Sequence, residues 1–155
     1  MVALEVPAGY GYVLAAATST FFVAAYLGGR VVTYRKAAKI PYPHMYATPE
    51  QISSAPPARA KLLDAFNRAQ RGHQNFLESQ ASTIAAMCIT GLVYPKMAAA
   101  LGATWSVGRI LYAWGYNNDK EEGKGRYNGA PGLLAHYVLC VSSVVAVWQL
   151  VRQGV

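Results

Sequence analysis

Four long stretches of this chain are almost free of charge, and no other feature restricts its possible folds so much. Residues 10–29 carry no Asp, Glu, Lys or Arg. Residues 76–94 carry only Glu78, residues 97–116 only Arg109, and residues 127–151 none. Each run is close to the roughly 20 residues that a helix needs to cross a hydrocarbon core. Inside that core only helices and closed barrels satisfy their own backbone groups, and these runs lack the ten-residue alternation of a membrane barrel. Hydrophobic residues make up 54% of the chain and charged residues 14%, against about a quarter charged in an average soluble domain. A buried soluble helix would explain one such run but not four in 155 residues. The expected fold is all-α: an integral membrane four-helix bundle forming one domain over 1–155, with spans at about 10–34, 66–94, 97–116 and 131–151. The first run lacks a basic leader and exceeds the usual apolar core of a cleavable signal, so it is expected to remain as a span.

The net charge of +7 would suit a nucleic-acid partner if it formed one patch. Its distribution points instead to topology. Arg30, Arg35, Lys36, Lys39, Arg59, Lys61, Arg68 and Arg71 surround the first loop, and Lys120, Lys124 and Arg126 lie in the third. The opposite side has Lys96 and Arg152. Basic residues near span ends stay cytoplasmic, so loops one and three are expected to face the cytosol, with no nucleic acid bound. Pro41 and Pro43 interrupt the chain after the first span, and residues 48–57 read as a loop. The second helix is expected from near Arg59, ending at Tyr94-Pro95; Pro131 suits the first turn of the fourth.

Ionisable groups inside a span are costly and mark function or a paired structural site. On helix two, Arg71, Asn75, Glu78 and Ser82 recur at spacings of four, three and four, which places them on one face, flanked by Arg68 and Gln74. A cation, an amide and a carboxylate in one column could bind a small zwitterion. Equally, Glu78 could pair with Arg71 or with Arg109 of helix three. On that helix Arg109, Tyr112 and Tyr116 share a face, expected to point inward to helix two, although tyrosines at an interface also form aromatic belts. Cys88 and Cys140 fall within spans two and four. They read as small buried apolar residues, expected to lack an activating neighbour. His44, His73 and His136 lie in separate segments, and no metal-ligand spacing, G-x-S-x-G element or phosphate-binding glycine loop occurs. An enzyme built this way needs a reactant that brings its own nucleophile.

The segment 66–78, FNRAQRGHQNFLE, resembles the helix-two signature of the membrane-associated proteins in eicosanoid and glutathione metabolism (MAPEG), in which an arginine is followed by asparagine four residues on and glutamate three further. Residues 107–116, VGRILYAWGY, resemble the helix-three signature, and Tyr42-Pro43-His44-Met45-Tyr46 resembles a loop of the type-3 microsomal glutathione transferase branch. The resemblance implies a homotrimer with glutathione sites between subunits near the cytosolic face, in the endoplasmic reticulum or outer mitochondrial membrane. It implies glutathione as co-substrate and no metal. Arg35, Lys36, Arg71, His73, Asn75, Glu78, Tyr112 and Tyr116 would be glutathione-binding, and Arg126 would stabilise the thiolate, with Lys124 as a competitor. The implied partners are lipophilic electrophiles or lipid hydroperoxides arriving through membrane lipid. Ser79 stands where the leukotriene-forming branch has a tyrosine. Two other readings are a non-catalytic lipid-binding module and an accessory subunit of a larger membrane complex.

Overall fold

The computed structural model describes residues 6–118 and 121–154. Lys120, counted with the third loop, lies outside the described residues. The described residues form helices and no strands: α1 (Tyr10–Ala38), the short α2 (Pro49–Ser53), α3 (Pro57–Gly91), α4 (Pro95–Asn117), a 3-10 segment (Glu121–Gly129) and α5 (Ala130–Gln153). Proline opens α2, α3, and α4 and sits in the first turn of α5, where its missing N–H costs nothing. At the other end of α1, Lys39 takes a left-handed conformation and its N–H closes onto the carbonyls of Arg35 and Lys36.

Several boundaries differ from the sequence reading. The first helix continues past Tyr34 to Ala38, because Val31, Arg35 and Ala38 are buried against the loop and carry the apolar face onward. The stretch read as a loop at 48–57 contains α2. Its capping box has Thr48 accepting from the Gln51 N–H while the Gln51 side chain accepts from the Thr48 N–H. The second long helix begins at Pro57 and the third loop is wound as a 3-10 segment.

The four long helices pack as a bundle. Both α1 and α5 lie against α3 and α4, so α3 and α4 form its centre. One apolar cluster near the α1 start joins Val13, Ala17, Met87, Ala98 and Leu139. A second joins Val23, Leu27, Phe76, Trp105 and Ala135 at mid-bundle, with the Phe76 and Trp105 rings 5.1 Å apart. A third, of Val31, Ala38, Ile40, Leu63 and Phe66, ties the first loop to the end of α1. Small residues set the closest approaches. A Cβ built on Gly108 of α4 would lie 2.5 Å from the Cα of Gly132 on α5, so the two backbones touch.

The outer face is apolar. Tyr12, Phe21, Phe22, Leu134, Val141, Val144, Trp148 and Val151 are each more than half exposed. Two helical segments, Tyr10–Ala38 and Gly123–Gln153, are long and apolar enough to cross a membrane. The most apolar parts of these are only 28% and 22% buried within the protein, unlike the core helix of a soluble domain. Neither α3 nor α4, expected from sequence as spans two and three, is as apolar. Polar residues dilute α3, and Arg109 together with Gly, Ser, Thr, Trp and Tyr lowers the mean hydropathy of α4. At 35 residues α3 is about 50 Å long, well beyond the roughly 30 Å of a hydrocarbon core.

Candidate functional site

The polar stripe of α3 meets the inward face of α4 near the loop-one end of the bundle. Its members do not share one environment. Arg71 and Glu78 pair across seven residues, Nη1 to Oε1 at 2.7 Å, with both side chains about half exposed. Asn75, between them, accepts a hydrogen bond from Arg109 Nη1 at 2.7 Å. Arg109 is buried, and its guanidinium lies 5.2 Å from the Tyr112 ring. Of the two partners open to Glu78 in the sequence, the structure selects Arg71. The buried cation is held by an amide instead. Arg68 is engaged by Asp64 one turn back on the same helix, and Ser82 donates to the Ser79 carbonyl.

Two cavities flank this arrangement. The first, of about 210 Å³, is lined by Asn75, Arg109, Tyr112, Arg126, Tyr127 and neighbouring residues of the α5 start. The second, of about 470 Å³, is lined by Tyr46, Asp64, Asn67, Arg68, Arg71 and Tyr116. Tyr112 and Tyr116, with ring centroids 5.6 Å apart, connect the two. Arg126 reaches the first cavity from the 3-10 segment, where its guanidinium lies 4.9 Å from the Tyr127 ring and 5.8 Å from the Tyr116 ring. That segment is seated by glycine: Gly125 packs directly on Gly115 of α4, and a Cβ on Gly129 would fall 2.6 Å from the Tyr112 Cβ. Lys124 is exposed and does not line this cavity.

The remaining predicted positions lie elsewhere. Arg35 is buried at the end of α1, donating to the His44 carbonyl at 2.6 Å and stacking on Phe66 and Tyr42 at 4.7 and 4.4 Å. In this chain it anchors the first loop. Lys36 is exposed beside it. His73 points to α1, where its ring lies against Gly28, away from the face carrying Arg71 and Asn75. The cysteine expectation also changes. His136 Nε2 lies 3.7 Å from Cys140 Sγ, a neighbour visible as an i, i+4 spacing. Sequence reasoning missed Tyr46, Asn67 and Tyr127 as lining residues. Tyr46 joins the site by donating to the Gln74 side chain, and Asn67 holds both backbone groups of Ala47 at 2.8 and 2.9 Å. Burial raises the Tyr46 phenol above its ordinary value, with the Arg71 guanidinium opposing.

An outward apolar bundle with a buried arginine and a polar recess at one end defines a class, that of helical membrane proteins. The particular family follows from comparison. The MAPEG family model matches residues 13–146, and the chain belongs to that family. It is also 38% identical over 97 residues to the uncharacterized protein sll1147 of Synechocystis sp., a match covering 61% of this chain and 69% of that one. Membership makes this a membrane protein of the glutathione-transferase and eicosanoid-metabolism kind.

Proposed function

We propose that the protein is a membrane-bound glutathione transferase with glutathione-dependent lipid peroxidase activity, in the manner of the type-3 branch. The observation that carries this reading is the placement of Arg126 on the same small cavity as Asn75, Arg109 and Tyr112. Glutathione carries two carboxylates and one ammonium. Arg71 and Glu78 at present neutralise each other; a carboxylate would take Arg71 and an ammonium Glu78, exchanging partners without leaving either charge alone. The amide Asn75 is oriented by Arg109 and bonds the ligand's peptide. The thiol then faces Arg126. An unperturbed thiol titrates near 8.5, so only a few per cent is thiolate at neutral pH, and a nearby guanidinium increases that share. The thiolate attacks an electrophilic carbon and displaces its leaving group, giving a thioether, or attacks the peroxide oxygen of a lipid hydroperoxide, releasing the alcohol and leaving a sulfenic acid that a second glutathione converts to the disulfide and water.

The long helices α1, α3, α4 and α5 would be the four crossings, with loops one and three cytosolic and three copies sharing their sites in an endoplasmic reticulum or outer mitochondrial membrane. The half-exposed Arg71 and Glu78 and the open second cavity favour a site completed by a neighbouring copy. The test is turnover of an aryl halide and of a lipid hydroperoxide by purified protein and by Arg126→Ala. Losing one preorganised charge at the reacting sulfur should lower turnover by about 100-fold with little change in glutathione affinity. Equal rates for the two proteins would remove Arg126 from the mechanism. Glutathione binding without turnover in the parent would favour the lipid-binding or accessory-subunit reading.

A further inference from the structure

A second polar constellation lies away from the glutathione recess. Thr83 of α3 and His136 and Cys140 of α5 meet between these helices. The Thr83 hydroxyl lies 2.7 Å from the Ser79 carbonyl and 2.8 Å from His136 Nδ1. A carbonyl can only accept, so the hydroxyl hydrogen goes to Ser79 and the Thr83 oxygen is left to accept from Nδ1–H. That fixes the histidine tautomer. Nε2 then carries the lone pair, 3.7 Å from the Cys140 sulfur. Thr83 is fully buried, whereas His136 and Cys140 are partly exposed. Cys140 lies ten residues into α5, about 15 Å along the helix, beside Leu139 and below the outward face of Val138, Val141 and Val144. A reactant reaching this thiol must be apolar.

We propose that Cys140 is a covalent modification site for lipophilic α,β-unsaturated carbonyl compounds, with His136 as the base that takes its proton and Thr83 as the positioning residue that orients His136. The sulfur adds to the β-carbon of the electrophile, and the π pair of the carbon–carbon double bond moves onto the α-carbon and carbonyl as an enolate. The thiol proton passes to His136 Nε2 and then to the α-carbon. A thioether remains, the imidazole is unchanged, and no oxidant or reductant takes part. This site shares no residue with the glutathione recess, so it stands whether or not that recess binds glutathione.

The molecule supplies its own comparison. Cys88 is also partly exposed and lies within the bundle, but its neighbour is Tyr10, whose hydroxyl donates to the Cys88 carbonyl at 3.1 Å. The experiment treats the full chain in lipid nanodiscs with N-ethylmaleimide and follows each cysteine by peptide mass mapping. General-base assistance is typically worth about 100-fold, so Cys140 should react at least about tenfold faster than Cys88. Thr83→Val should reduce that ratio, Thr83→Ser should restore it, and His136→Asn should bring it near unity. Equal rates in the parent protein overturn the proposal, as does a preference for Cys140 that persists in both Thr83→Val and His136→Asn. If His136→Asn does not fold, the parent ratio and the Thr83 pair decide alone.

Discussion

Arg71 and Arg109 are cations lining adjoining cavities, and they live in opposite circumstances. Arg71 is about half exposed and paired with a carboxylate that is equally open. Arg109 is 5% exposed, bonded through Nη1 to an uncharged amide, with no hydrogen-bond partner for its Nε among the described residues. An exposed pair loses little when it separates, because water screens both halves. A buried cation that loses its partner has nowhere to turn. The contrast teaches a division of labour: one arginine can give up its partner at little cost, and the other holds the frame around it.

The sharpest way to break the comparison is Asn75→Leu, which leaves Arg109 buried without its acceptor. Destabilisation of about 3 kcal/mol is expected, measured by denaturing detergent titration in mixed micelles; a loss no greater than that of Arg71→Met would show the burial to be energetically unimportant. Next comes Gly108→Ala, beside Arg109. The added methyl would press on the Gly132 backbone and should cost about 2 kcal/mol. It should also disturb the α5 wall of the smaller cavity while leaving the Arg71–Glu78 pair intact. Arg71→Met should change stability by less than about 1 kcal/mol. Its effect should fall on ligand binding, weakening glutathione by about tenfold through loss of a charged hydrogen bond, measured by calorimetry. Unchanged affinity would separate Arg71 from the binding role.

The smallest effect concerns Tyr46, whose phenol is raised above the ordinary value of 10.0 mainly by burial. A raised folded-state value means that its contribution is fully present below pH 10 and is lost as pH rises through the higher folded value. The stability difference between parent and Tyr46→Phe should therefore be constant up to about pH 10 and change only above it. A change beginning well below that would assign the titration to another group.

The helical class was legible in the four charge-poor runs, the family in its motifs, and the shared face of Arg71, Asn75 and Glu78 in their spacing along one helix. Partner choice was not. Asn75 and Glu78 both lay within reach of Arg109 on any helical wheel, and only the rotation of α4 against α3 decides between them. His73 illustrates the same limit: it is two residues from Arg71 in sequence and, on an α-helix, far round the cylinder from it. The surroundings of Arg35 were illegible for another reason. Burial of its side chain depends on how 40–47 fold back over the end of α1, and that path has no periodic signal. The His136–Cys140 neighbour was readable from a spacing of four and was overlooked.

The meeting of Gly108 with Gly132 has a consequence for inheritance. Every replacement for glycine adds a carbon, and here the obstacle to that carbon is main chain, which no second-site change of side chain can trim away. Neither position can drift neutrally while the other waits to compensate. A lineage keeping this bundle must keep both glycines or separate the two helices, and separation would open the wall on which the smaller cavity depends.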